Sequence, residues 1–155
     1  AGIAYVAGMM LPDGTGFAEV VAPVAAGDPA AAGIRPHLVW SDDRSTSTVP
    51  ADAARTIFFH DVAEPAASAA AARLSPQPEG GRDVRPRITA QRFGRVPRLY
   101  VEAAQDRSLV PAVQQRMQAL VPGAAVARLD CGHAPHLSQP RQLADCLNFW
   151  LGGLS

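Results

Sequence analysis

Three things are scarce in this 155-residue chain: cysteine, charge of one prevailing sign, and long apolar runs. Its two cysteines, Cys131 and Cys146, are too few for a disulfide framework, so buried free thiols are expected. Fourteen basic and fourteen acidic side chains cancel to a formal net charge of zero, which removes the electrostatic footprint of a nucleic-acid-binding protein. The longest apolar stretches, around Ile3–Leu11 and Ala66–Ala72, fall well short of the roughly 20 residues of a membrane span. No basic n-region opens the chain, so no leader is expected. Nucleic acid and membrane are therefore not expected partners, and a cytoplasmic location is the default expectation. What is present is a soluble composition, 48% hydrophobic, in a length that one domain fills.

The first eleven residues, Ala1 to Leu11, are apolar almost throughout and stop at the turn signal Pro12-Asp13-Gly14. A strand with no polar face is expected to be buried on both sides, as in the middle of a parallel sheet. Gly2, Gly8 and the lack of charge disfavour an amphipathic helix there. A chain that opens inside such a strand is expected to have lost flanking elements. From Asp13 to about Arg95 proline and glycine recur every few residues, so regular elements between them should be short. Helices are expected at Ala51–Phe59 and Glu64–Leu74, the second with Pro65 in its first turn, and a surface linker at Gly80–Arg87. Beyond Val96 the pattern reads strand (to Ala104), helix (Pro111–Leu120), strand (Ala124–Leu129), loop (Asp130–Pro140) and helix (Arg141–Leu151). That alternation implies parallel pairing by crossover.

Two polar residues follow the carboxyl ends of those last strands: Asp106 and His133. In open α/β sheets this is the edge where reacting groups collect. A carboxylate placed there accepts the Nδ1 proton of an imidazole and fixes its tautomer, and Asp before His is the closing part of a Ser, Asp, His order. Spacing alone leaves a structural alternative for each, a helix-initiating acid before Pro111 and a loop histidine bonded to backbone. Cys131, His133 and His136 offer metal-ligand chemistry, but their spacing matches no common ligand pair and Pro135 stiffens the loop, so no metal is expected. Cys131 as a nucleophile beside His133 has poor geometry for proton transfer. His37 and His60 are expected in surface or packing roles.

Several stretches resemble the α/β-hydrolase fold, in the branch of plant methylesterases, hydroxynitrile lyases and their bacterial relatives. They are Tyr-Val-Ala-Gly-Met-Met-Leu-Pro-Asp-Gly (5–14), Val-Pro-Arg-Leu-Tyr-Val-Glu-Ala-Ala-Gln-Asp-Arg (96–107) and Gly-His-Ala-Pro-His-Leu-Ser-Gln-Pro (132–140), with Phe58-Phe-His-Asp61 and Arg73-Leu-Ser-Pro-Gln-Pro78 between them. The resemblance implies a partial α/β-hydrolase fold: a core strand in 1–12, a mostly helical cap in 13–95, and core strands and helices in 96–155, three parallel strands in all. It makes Asp106 the catalytic acid and His133 the catalytic histidine of a hydrolase acting on a small-molecule ester, without cofactor. Met9, Met10, Leu11 and Phe17 are expected to line an apolar substrate pocket.

The chain departs from that family in one respect. None of its eight serines lies in a Gly-x-Ser-x-Gly elbow, and the loop that supplies oxyanion-hole donors is absent. It therefore reads as the C-terminal portion of a serine-type esterase, inactive alone. A non-catalytic remnant or interaction module is the alternative, and hydroxynitrile-lyase-like chemistry a minor variant. Self-association through an exposed strand edge at Ile3–Leu11 is expected.

Overall fold

The computed structural model describes residues 1–154. In chain order its strands are β1 (Ile3–Val6), β2 (Val39–Trp40), β3 (Thr46–Thr48), β4 (Gln77–Pro78), β5 (Arg98–Ala103) and β6 (Ala125–Leu129). Its helices are α1 (Phe17–Ala25), α2 (Ala51–Ala53), α3 (Ala66–Ala71), α4 (Pro111–Leu120), α5 (Pro135–Ser138) and α6 (Pro140–Gly152). The main sheet is parallel with the order β1-β5-β6, so the β5-α4-β6 crossover unit is the one the alternating pattern implies.

Every residue of β5 is buried, which makes it the centre of the molecule. Its side chains alternate between two faces. Leu99 and Val101 pack with Leu143, Leu147 and Trp150 of α6. Tyr100 packs on the other side among Met10, Val20, Val113 and Met117. The buried charges of β5 are met differently, Arg98 by backbone carbonyls and Glu102 by a cation and two amides. The Arg98 guanidinium donates to the carbonyls of Phe93 (2.7 Å), Val96 (3.2 Å) and Pro122 (2.9 Å). Glu102 meets Arg128 at 3.4 Å and accepts from Gln115 and Gln118.

The first strand is shorter than its apolar sequence predicts and is not covered on both sides. It ends at Val6 because Ala7 turns to a φ of +42°, a conformation that breaks the extended run. The Tyr100 hydroxyl then donates to the Gly8 carbonyl at 2.9 Å, and the next residues drop into the core. Among the described residues β1 pairs only with β5, and Ile3 remains 36% exposed.

The segment from Asp13 to Arg95 holds more regular structure than its prolines suggest. Helix α1 forms despite Pro23 because Glu19 reaches back to accept the Gly16 N–H at 2.9 Å, which satisfies one orphan donor of the first turn, while Val20 anchors the helix in the core. A small antiparallel sheet, β2-β3-β4, was not expected; it pairs Val39 with Thr48 and Ser47 with Gln77. The helix expected at 51–59 is α2 followed by a wide π-type turn, Ala54–Phe58. The one expected at 64–74 contracts to α3. The stretch 80–87 is tied down as a strap: Arg82 donates to Ser47 at 2.9 Å, Arg85 pairs with Glu19, and the Pro86 carbonyl accepts the Gly14 N–H at 2.8 Å. The loop expected at 130–140 contains α5. No helix among the described residues is long and apolar enough to cross a membrane.

Candidate active site

Because the three strands of the main sheet are parallel, the chain leaves β1, β5 and β6 at one edge. After β5 the backbone makes a tight turn that places the Asp106 carboxylate inside the molecule with no exposed side-chain surface. Its Oδ1 accepts the N–H groups of Ser108 (2.7 Å) and Leu109 (2.8 Å). These bonds satisfy one oxygen and aim the other outward from the turn. A second buried side chain stiffens the same turn. Gln114 of α4 accepts the Ala103 N–H at 3.0 Å and donates to the carbonyls of Ala103 (2.9 Å) and Leu109 (2.6 Å).

After β6 the chain stays joined to the acid loop, with Ala104 N–H donating to Leu129 O and Gln105 N–H to Cys131 O, both at 2.9 Å. These two bonds carry His133 to Asp106. Its Nδ1 lies 2.8 Å from Asp106 Oδ2. A carboxylate only accepts, so Nδ1 donates to it, and in the neutral ring Nε2 keeps a free lone pair. Among the described residues Nε2 has no hydrogen-bond partner, and the His133 side chain is 29% exposed. Phe58 stacks on the imidazole at 5.0 Å between ring centroids and 27° between planes. The Gly132 N–H donates to Asp61 Oδ2 at 2.6 Å, and His60 Nε2 lies 3.0 Å from the Gln105 carbonyl. Here glycine serves a close approach, since a Cβ on residue 132 would stand 2.5 Å from Asp61 Oδ1. The arrangement is an oriented, half-open imidazole on a buried carboxylate, able to take and return a proton through Nε2.

A model described as the alpha/beta hydrolase family matches residues 1–146. The chain belongs to the alpha/beta hydrolase family. A curated relative of this alpha/beta hydrolase, the pyrethroid hydrolase of Sphingobium wenxiniae, is 45% identical over 53 residues, which are 34% of this chain and 19% of that protein. A solved pyrethroid hydrolase from Sphingobium faniae JZ-2 superposes with a TM-score of 0.78 at 26% identity, over 97% of this chain and 60% of that one. Tomato methylketone synthase I shares the fold at 14% identity, with a TM-score of 0.79 over 99% of this chain and 62% of that one. The chain thus spans about 60% of the length of the solved relatives and 19% of the curated one in its matched stretch. Plant methylesterases, the branch that the sequence resembles, are also among the structural neighbours.

The other residues that the sequence singles out are placed differently within this alpha/beta hydrolase. Met10 has no exposed surface and Leu11 is buried with it in the cluster around Tyr100, so both serve packing and neither lines an open pocket. Phe17 packs against the same cluster, and Met9 is 43% exposed. A concavity of about 730 Å³ is lined by Asp13, Arg87, Thr89, Arg92 and Phe93 among others and includes neither His133 nor Asp106. Cys131, His133 and His136 do not converge. Cys131 is buried, His133 is turned onto Asp106, and His136 is exposed on α5. Burial first, then the charges of Asp61, Asp106 and Asp130, push the Cys131 thiol up to about 11, so it is protonated near neutrality and is no nucleophile. His37 is exposed, and His60 packs onto the acid loop. Phe58 and Asp61 belong to a stretch that carries the family resemblance, and nothing else in the sequence marks them. Their contacts with 132–133 span more than 70 positions, as in the Asp61 to Gly132 separation of 71, and no local pattern announces them.

Proposed function

We propose that this chain supplies the acid and base of a serine-type esterase acting on small esters, with His133 as the proton-transfer residue and Asp106 as its orienting carboxylate. The observation that carries the proposal is the 2.8 Å contact of His133 Nδ1 with Asp106 Oδ2, which leaves Nε2 free. The nucleophile is a serine on a segment outside this sequence, since no serine hydroxyl bonds His133 among the described residues. In the reaction, His133 Nε2 takes the serine proton as the oxygen attacks the ester carbonyl. Asp106 stabilises the imidazolium, which then protonates the departing alcohol, and water repeats the cycle to release the acid. Residues 13–95 act as a cap over the site, with 1–12 and 96–155 as core. Phe58, stacked on the imidazole, and Met9, on the loop after β1, are the apolar groups that remain for the pocket wall. Names of relatives such as pyrethroid hydrolase and methylesterase support an ester as substrate.

The test is hydrolysis of p-nitrophenyl acetate. The chain alone should show none. Mixed or fused with a nucleophile-bearing segment of a relative, it should turn over, and His133→Ala should then lower kcat by about 10⁶-fold. Turnover by the 155-residue chain alone would overturn the external nucleophile. Restored turnover that survives His133→Ala would overturn the role of the histidine.

A further inference from the structure

The turn Phe58–Asp61 touches both loops of the candidate site at once. Phe58 lies on the His133 ring, His60 Nε2 meets the carbonyl of Gln105, the residue before the acid, and Asp61 accepts the N–H of Gly132, the residue before the histidine. The last contact is the shortest of these polar contacts, at 2.6 Å, as a charge-assisted bond to a backbone N–H should be. It answers a definite need. The loop after β6 follows the acid loop only as far as the Cys131 carbonyl, so the buried Gly132 N–H requires an acceptor from elsewhere.

The rest of the Asp61 environment is unfavourable to a carboxylate. Its Oδ1 is buried with no hydrogen-bond partner, and Asp61 shares the neighbourhood of Cys131 with Asp106 and Asp130. Neither feature stabilises the fold, so the bond to Gly132 is the interaction that accounts for the residue. The close fit points the same way: a Cβ at position 132 would stand 2.5 Å from Asp61 Oδ1 and 2.8 Å from His60 Nε2.

We propose that Asp61 is a positioning residue, a latch from the cap that holds the backbone before His133 so that Nδ1 stays on Asp106. The proposal rests on the reading of His133 as the proton-transfer group, but its first test does not need turnover. In Asp61→Ala, amide exchange at Gly132 should accelerate about tenfold or more, and the hydrogen-bonded Nδ1 proton of His133 should disappear from the low-field NMR spectrum. Asp61→Asn keeps an acceptor oxygen and should restore both. In the complemented esterase, Asp61→Ala should lower kcat by roughly 10²-fold with KM little changed, and Asp61→Asn should recover most of it. If Asp61→Ala does not fold, Gly132→Ala, which pushes the latch away from the loop side, should remove the same Nδ1 signal. Unchanged Gly132 exchange and Nδ1 signal in Asp61→Ala, an intact signal in Gly132→Ala, or an Asp61→Asn as impaired as Asp61→Ala would overturn the latch. An assembled protein with no ester turnover overturns the hydrolase reading instead, while the exchange and imidazole signals still decide the role of Asp61.

Discussion

Cys131 shows how strongly its surroundings determine what one side chain can do. In sequence it is a sulfur two residues before a histidine; in the structure its burial first, and then the charges of Asp61, Asp106 and Asp130, push its pKa up to about 11 from an ordinary 9.0. A thiol whose folded pKa exceeds its unfolded pKa gives the unfolded state fewer protons between those values. Stability contributed by the protonated thiol is thus complete below about pH 9 and falls as pH rises toward 11. The urea midpoint of the wild type should decline across that window more steeply than that of Cys131→Ala, and equal slopes would exclude Cys131 as the cause. Maleimide should modify the half-buried Cys146 first and reach Cys131 only in denaturant. The sequence makes burial of Cys131 expected, because two cysteines are too few for a disulfide framework and free thiols are commonly buried. Of the three carboxylates around it, Asp130 is its neighbour in sequence, whereas Asp61 and Asp106 come from distant parts of the chain and have no local pattern that announces them.

At the scale of elements, legibility follows periodicity. Strands β5 and β6 and helices α4 and α6 lie within two residues of their expected bounds, since each is an apolar run or a 3.6-period stripe bounded by turn signals, α4 packing in the cluster around Tyr100 and α6 in the one around Leu99 and Val101. The segment before β5 was harder to read. Its sheet is made of strands of two or three residues, and its helix α1 depends on a capping contact more than on pattern. Gln114 marks the limit within a well-predicted helix: it looks like a surface residue in sequence, yet it has no exposed area and bridges α4 to the end of β5 and the acid loop. Gln114→Leu keeps the volume but leaves the Ala103 N–H and the Leu109 carbonyl without that partner. At about 1–3 kcal/mol for each stranded group, the loss should be on the order of 3 kcal/mol. A lower urea midpoint with an unchanged m-value would show it; a midpoint equal to the wild type would mean that water replaces the amide.

For the whole molecule, the open side of the main sheet is the governing feature. Ile3 and Ala7 donate their N–H groups to Pro97 and Val101, so by the two-residue period the N–H groups of Ala4 and Val6 face away from β5. They form a short unpaired edge, narrower than the apolar stretch Ile3–Leu11 suggested because Ala7 ends the strand. Such an edge pairs readily with another strand. The chain should therefore sediment with a weight-average mass that rises with concentration. Ala4→Pro removes an outward donor without touching the bonds of Ile3 and Ala7 to β5, and should return it to a monomer. The same edge is where a nucleophile-bearing segment would add its own strand. Ala4→Pro should accordingly weaken complementation of esterase activity, and a saturating complement should suppress self-association of the wild type. Self-association that persists in Ala4→Pro, or a complement that binds without displacing the second copy, would place the contact elsewhere, the exposed Phe149 and Leu151 of α6 being the next surface to test.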